Sequence, residues 1–319
     1  MLNRLKKYAA ALLGFVLLCT AGSAAAQMPE RINITYVKSP FNLQNMVMKE
    51  RGLLEAAFEK EGTRIEWRNI TSGAQQAQGL AAGNLDVSSV MNTASLLLGA
   101  SNGVPLKVIN GVSHPDGIFA VVGKAGEHFS VKDLKGRTIA GPKGTVLHQL
   151  LVAALRDAGL APSDVRLVSM DPASALSALL SGNADAALLA ANLITKARTA
   201  GCEVIAEARG HIRPNLVMVA RSPFMKAYPE AVARIVAVQR ETLAWIGTHK
   251  DEALEIAMRV QGISREEAEA LYEGSRFYDF LTEDDIRGMR EDQRFLIENG
   301  LMAHEVNVGD LIDPMALQK

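Results

Sequence analysis

The sequence predicts an α/β protein built from two similar lobes that are joined by two crossover strands. Three observations support this prediction. Short β-rich runs alternate with longer helical patterns, one helix-turn-strand unit occurs twice, and two isolated apolar strands flank a compact central segment. Such alternation is typical of βαβ units around mostly parallel sheets, whose strands are covered on both faces.

The first 26 residues have the pattern of a cleavable export signal. Three basic residues open the chain, Arg4, Lys6 and Lys7. A short apolar stretch from Ala9 to Leu18 follows, and Ala24-Ala25-Ala26 fits the small-residue rule for cleavage. The apolar stretch is about half of the roughly 20 residues that a membrane-spanning helix needs. We therefore predict a mature periplasmic protein that begins at Gln27 or Met28. The alternatives are an uncleaved anchor or a lipid on Cys19.

Charge and cysteine content exclude two classes of protein. The chain has 34 Lys and Arg against 35 Asp and Glu, and removal of the signal leaves 31 against 35. A net charge near -4 without a basic stripe argues against a nucleic-acid partner. Cys202 is the one cysteine of the mature chain, so an internal disulfide is excluded and Cys202 is expected to pack as a small hydrophobic residue.

The first lobe is predicted to begin with three strand-helix pairs and a fourth strand. The strands are expected at Ile32–Val37, Arg64–Asn69, Val87–Met91 and Lys107–Gly111. The helices between them are expected at Leu43–Lys60, Ala74–Ala82 and Thr93–Ser101.

An internal repeat is the most informative feature of the chain. SGAQQAQGLAAGNLDVSSVMNT, from Ser72, aligns without a gap with DPASALSALLSGNADAALLAAN, from Asp171. The matched residues include a Gly-Asn-x-Asp turn at Gly83 and again at Gly182, and Gly just past a helix end is the expected cap. We also expect Asn92 and Asn192 to occupy equivalent positions on opposite lobes. The alternative is chance similarity between two Ala-rich helices.

The two lobes are not simple halves of the chain. Ile118–Val122 and Leu216–Ala220 are predicted as the crossover strands. This assigns residues 1–26 to the signal peptide, 28–119 and 213–319 to lobe I, and 120–212 to lobe II. The C-terminal part is predicted to be helical, with capping-box starts at Ser264 and Thr282, and to pack on lobe I.

Three segments resemble the solute-binding proteins of ABC importers for aliphatic sulfonates, taurine and nitrate. They are LKGRTIAGPKGTVLHQLLVAALRDAGLAPSDVRLVSMDPASALSALLSGNADAAL, SGAQQAQGLAAGNLDVSSVMNTA, and the late FLIENGLM with DLID. The resemblance covers nearly all of the mature chain. It implies a type II periplasmic-binding fold with two hinge strands, a small-molecule ligand in the cleft, an ABC permease as membrane partner, and a monomer.

Candidate ligand residues lie where strands end and helices begin. Such ends suit an anion, because a helix N-terminus offers free N–H groups and the positive end of its dipole. The candidates in lobe I are Ser39, Phe41, Asn42, Ser72, Gly73, Asn92 and Thr93. Those in lobe II are Lys143, Gly144, Thr145 and Asn192. The resemblance itself places contacts on the three lobe I loops and on the Gly144-Thr145 turn.

Each candidate also has a structural explanation. The Ser, Thr and Asn residues fit ordinary N-caps, Lys143 fits a solvated surface lysine, and nearby His148 fits a packing residue.

Between Ser130 and Pro223 there is no Phe, Tyr or Trp, so lobe II cannot stack on a flat ring. This favours a small polar or aliphatic ligand over a pyrimidine. Neither metal-ligand spacing nor a catalytic motif is found, and we expect no cofactor. The predicted mechanism is hinge closure around the ligand, without chemistry. The alternatives are a thiamine-pyrimidine-type enzyme on the same fold and a sensory binding protein.

Overall fold

The computed structural model describes residues 27–128 and 130–317, and it contains two five-stranded sheets. The predicted signal peptide lies outside the described residues. The first sheet has the order β2-β1-β3-β10-β4, with strands β1 (Arg31–Thr35), β2 (Arg64–Arg68), β3 (Val87–Asn92), β4 (Leu106–Ser113) and β10 (Leu216–Arg221). The second has the order β7-β6-β8-β5-β9, with strands β5 (Phe119–Gly123), β6 (Thr138–Gly141), β7 (Arg166–Ser169), β8 (Ala186–Ala190) and β9 (Glu203–Glu207). We call each sheet with its covering helices a lobe.

The two sheets share one topology, and this confirms the α/β fold with two lobes. Each has three parallel strands followed by an antiparallel strand, β10 in lobe I and β5 in lobe II. Each antiparallel strand follows a passage of the chain from the other lobe, through residues 114–118 or residues 208–215. We call these two passages the crossing segments.

The aspartate of the repeated Gly-Asn-x-Asp turn forms equivalent hydrogen bonds in both lobes. The Asp86 carboxylate accepts a hydrogen bond from Asn33 N at 2.9 Å, and the Asp185 carboxylate accepts one from Thr138 N at 3.0 Å. Each therefore binds the backbone of the first parallel strand of its own sheet.

The same two aspartates also bind the far ends of the antiparallel strands. Asp86 pairs with Arg221 at 2.8 Å, and Asp185 pairs with Lys124 at 3.1 Å. Their backbone carbonyls accept hydrogen bonds from the N–H groups of the same two basic residues. The repeat inferred from the sequence therefore corresponds to one structural unit that is used twice.

Twelve α-helices lie in the described part of the chain. Those of lobe II are α5 (Val146–Asp157), α6 (Pro172–Leu180) and α7 (Asn192–Thr199). The others are α1 (Leu43–Glu50), α2 (Leu53–Phe58), α3 (Gly73–Ala81), α4 (Thr93–Ser101), α8 (Ser222–Ala227), α9 (Pro229–Thr248), α10 (Lys250–Gln261), α11 (Arg265–Ser275) and α12 (Glu283–Glu298). Helices α3, α4 and α12 share a hydrophobic core with one face of the first sheet, and α1, α2, α8 and α9 share one with the other face.

Two expectations about the helices are wrong in part. The helix predicted over Leu43–Lys60 is divided into α1 and α2, because Gly52 adopts the left-handed conformation (φ 61°) between them. The C-terminal helices do not pack on lobe I alone. Leu254 of α10 and Leu271 of α11 belong to the same hydrophobic core as Leu150 of α5, so this core extends across both lobes. The capping boxes at the starts of α11 and α12 form as predicted.

Candidate ligand site

The N-termini of α4 and α5 meet where the two lobes face each other. Helix α4 follows β3, and α5 follows β6, so both helices start at the carboxyl ends of parallel strands. Ser95 Oγ, in the first turn of α4, donates a hydrogen bond to the Gly144 carbonyl oxygen at 2.9 Å. The lobes are therefore in direct contact at two of the predicted anion-binding helix ends.

A carboxylate from α12 joins the same contact. Asp292 accepts hydrogen bonds from Thr93 Oγ1 of α4 at 2.9 Å and from Gln149 Nε2 of α5 at 2.7 Å. Burial raises the pKa of Asp292 to about 6, against the lowering effect of these two donors. Asp292 thus connects lobe I, lobe II and the C-terminal helix.

The turn before α5 is organised by an imidazole. Gly144 has φ 70°, which suits glycine, and its N–H donates to His148 Nδ1 at 3.2 Å. Burial, together with the charge of Lys143, lowers the pKa of His148 to about 4. His148 is therefore a neutral acceptor at neutral pH. Lys143 itself is exposed, and the buried Thr145 hydroxyl donates to the Pro142 carbonyl at 3.2 Å.

The loop after β2 fits tightly against the start of α4. A Cβ added at Gly73 would overlap Ser95 Oγ and would lie 2.9 Å from Asn92 Nδ2. Asn92 is the N-cap of α4, and its Oδ1 accepts from Ser95 N at 2.9 Å. Ser72 precedes α3 without a side-chain capping bond. The structure therefore brings Gly73, Asn92, Thr93 and Gly144 together.

The loop after β1 contains polar atoms that are buried and unpaired. Asn42 is fully buried, and its Nδ2 donates to Val37 O and Ser39 O. Asn42 Oδ1, Gln44 Oε1 and Asn45 Nδ2 have no hydrogen-bond partner within the described ranges. The pattern that singled out Asn42 gave no signal for Gln44 and Asn45.

Three of the predicted residues form none of the hydrogen bonds that join α4, α5 and Asp292. Phe41 is buried in the hydrophobic core, where it is 1% exposed. No hydrogen bond between described residues joins Ser39 or Asn42 to the Gly144 turn.

The predicted equivalence of Asn92 and Asn192 is wrong. Asn92 is the N-cap of its helix, whereas Asn192 is the first residue of α7 and corresponds to Thr93. The N-cap of α7 is Ala191, which has φ 49°.

A cavity of about 620 Å³ lies beside the crossing segments, and we call it the hinge cavity. Its wall includes His114, Arg213, Asn215, Arg276, Tyr278 and Asp292. None of these six is among the ligand residues predicted from the sequence, because they come from segments that are distant from one another along the chain.

Two stacked rings, those of Tyr278 and His114, form one side of the hinge cavity. The Tyr278 hydroxyl donates to Asn215 Oδ1 at 2.5 Å, and a Cβ at Gly111 would overlap the Tyr278 ring. His114 stacks on this ring with centroids 4.1 Å apart, and its Nε2 lies 3.0 Å from Asp285. The pKa of His114 is lowered, because burial and the charge of Arg276 outweigh the raising effect of Asp285.

The described residues lack two features. No cluster of three or more His, Cys, Asp or Glu side chains there has the arrangement needed to hold a metal ion. No helix there is both long and apolar enough to cross a bilayer.

The sequence has identifiable relatives. The model of the family described as NMT1/THI5 like matches residues 55–253. A Bacillus subtilis protein named as an aliphatic sulfonates-binding protein is 29% identical over 94% of this chain and 92% of its own length. The taurine-binding periplasmic protein of Escherichia coli is 30% identical over 55% of each chain.

Solved structures share the fold at lower identity. The alkanesulfonate-binding protein SsuA from Xanthomonas axonopodis pv. citri bound to MOPS has a TM-score of 0.80 and 20% identity, over 90% of this chain and 99% of that one. The periplasmic aliphatic sulphonate binding protein SsuA from Escherichia coli has a TM-score of 0.74 and 20% identity, over 92% and 94%.

Proposed function

The chain belongs to the NMT1/THI5-like family, and on this basis we propose that it is an exported solute-binding protein of an ABC importer. It captures a small anionic or polar solute between its lobes and delivers it to a permease in the cytoplasmic membrane. The names of the relatives point to a sulfonate or taurine as the class of solute. Export is supported by the signal-like pattern of residues 1–26 and by the periplasmic relative.

The contact between α4 and α5 is the observation that carries this proposal. Two lobes of the same topology meet at helix N-termini, through Ser95 on one side and Gly144 on the other. The positive ends of the two helix dipoles at this place favour an oxyanion. A solute that touches both lobes stabilises the closed arrangement by the contacts that only this arrangement offers.

We also propose that the solute is bound without chemical change. The two buried ionisable side chains at the contact, Asp292 and His148, already accept hydrogen bonds from the protein. Asp292 accepts two hydrogen bonds, and His148 accepts one from the Gly144 backbone. A general acid or base would need a proton-transfer atom that faces the substrate.

The first test is a thermal-shift panel on the chain from Gln27. The panel contains ethanesulfonate, taurine, nitrate, small carboxylates and a thiamine pyrimidine. A ligand at 100 times its Kd stabilises the folded state by about 2.7 kcal/mol, which corresponds to about 2–4 °C for a chain of this size. A shift with a sulfonate or with taurine supports the proposal, and a shift with the pyrimidine alone supports the enzyme alternative.

A variant of the lobe contact tests the closure mechanism. Gln149→Ala removes the hydrogen bond from α5 to Asp292, so we expect about tenfold weaker solute binding, because the closed form is less populated. Gln78→Ala is the matched control, since Gln78 is an exposed residue of α3 with no side-chain hydrogen bond in the described structure. Equal affinity of both variants and the wild type, measured by calorimetry, would contradict closure through this contact.

A further inference from the structure

The hinge cavity has the size and the position of a ligand site. Its volume of about 620 Å³ lies within the range of roughly 300–1,000 Å³ that is common for small-molecule pockets. Both crossing segments and the segment around Arg276 contribute to its wall. An occupant would therefore contact the part of the chain that must bend when the lobes move.

Most charged groups of this wall already have partners. Arg209 pairs with Asp116 at 3.1 Å, and Arg287 pairs with Asp284. These two pairs neutralise half of the four arginines and two of the five carboxylates that line the cavity.

Two further carboxylates are committed to structural contacts. Asp285 binds the Thr282 N–H and hydroxyl at the start of α12, and it also faces His114. Asp292 binds Thr93 and Gln149, as described above. Of the five carboxylates, this leaves Glu291 without a side-chain partner in the described part of the chain.

Two arginines of the wall have no side-chain partner in the described part of the chain. Neither Arg213, on the second crossing segment, nor Arg276, after α11, forms an ion pair or a side-chain hydrogen bond with any described residue. Arg276 has φ 48°, which is unusual for a residue other than glycine, and its carbonyl accepts a hydrogen bond from His114 N at 3.2 Å. The first crossing segment thus fixes the backbone of Arg276 at the cavity wall.

The rest of the wall suits the uncharged part of a small solute. Ile212, Pro214 and the Tyr278 ring supply apolar surface next to the two arginines. Tyr278 is held in place by Asn215, so this surface is preorganised. A guanidinium group binds a planar or tetrahedral oxyanion through two parallel N–H donors.

We infer that the hinge cavity binds the oxyanion group of the solute, with Arg213 and Arg276 as its binding residues. This inference rests on the proposed solute-binding function. It places the oxyanion on these two arginines rather than on the α4 and α5 N-termini, which adjoin the same cavity at Asp292. Since Arg213 lies on a crossing segment, binding here also constrains the hinge directly.

The test is isothermal titration calorimetry with ethanesulfonate and with taurine on four single variants and the wild type. Arg213→Gln and Arg276→Gln are each expected to weaken binding by about 10- to 100-fold, the usual effect of losing a charge-assisted hydrogen bond. Arg209→Gln is the matched control, because this arginine lines the same cavity and is equally exposed but is already paired with Asp116, and we expect less than about twofold change. Arg276→Lys should recover only part of the affinity, since lysine lacks the two parallel donors.

The outcomes separate this inference from the proposed function. If wild type binds a sulfonate and both glutamine variants bind it equally well, the hinge cavity is not the oxyanion site, whereas the proposed function stands. If neither ethanesulfonate nor taurine binds the wild type, the sulfonate class and this inference fail together. The three substituted arginines are exposed at the cavity wall, so unchanged melting temperatures of the apo variants will show that each variant is folded.

Discussion

The pH dependence of stability should depend on Asp292. Its carboxyl has a pKa of about 6, raised by burial from the ordinary 3.8. The folded state therefore holds a proton on this group between these two pH values, and the unfolded state does not. Stability from this group is fully present below about pH 4 and is lost as the pH rises to about 6. A pKa difference of one corresponds to about 1.4 kcal/mol, so the loss amounts to about 3 kcal/mol.

Asp292→Asn removes this titration but keeps a side chain of the same shape. We expect the free energy of unfolding of wild type to fall, relative to that of the variant, by about 3 kcal/mol between pH 4 and pH 7. Urea denaturation at steps of half a pH unit measures this difference. Asp310→Asn is the control, since Asp310 is exposed and its carboxylate has no partner in the described structure. If wild type and Asp292→Asn differ by the same amount at pH 4.5 and pH 7.5, the buried carboxylate does not have the raised pKa.

Three further outcomes are expected from urea denaturation at constant pH. Gly73→Ala should destabilise the fold by about 1–3 kcal/mol, because the added Cβ would overlap Ser95. Gly79→Ala, in the same helix, should be neutral or stabilising, because its Cβ would lie 3.4 Å from the nearest atom, the Leu85 Cβ. Asp86→Ala should cost about 3–5 kcal/mol because it leaves a partly buried arginine unpaired, and Asp185→Ala should cost less because its contacts are more exposed; equal costs would contradict this. Ser264→Ala removes an N-cap and should cost about 1 kcal/mol.

Local patterns predicted the elements and the duplicated lobe well. The Gly-Asn-x-Asp turns could be read from the sequence because a glycine cap and an aspartate on the neighbouring strand are local requirements. The division of the first long helix was missed because Gly52 sits in an otherwise continuous apolar pattern, and glycine within a helix is tolerated at modest cost. Asn192 was matched to Asn92 because both are asparagines, although the alignment of the repeat places Asn192 opposite Thr93.

The hinge cavity could not be predicted, because no local sequence pattern indicates it. Arg213 precedes a strand and Arg276 follows a helix, and only the tertiary fold brings them to one wall. Asp292 lies on a helix whose charged face is typical of a surface helix, so its burial between two lobes had no signature in the sequence.

The segment that accompanies the first crossing makes the two crossings unequal. Residues 274–278 bind residues 113–116 through the pairs Asp116 N to Gly274 O and His114 N to Arg276 O, at 2.8 and 3.2 Å, and the Tyr278 ring covers Gly111. The second crossing, residues 208–215, contains Gly210 at φ 90° and is held by separate contacts, among them Thr93 N to Asn215 O at 3.0 Å and the Tyr278 hydroxyl to Asn215 Oδ1. In the proposed closure, we therefore expect the first crossing to act as the pivot and the second to take up most of the dihedral change.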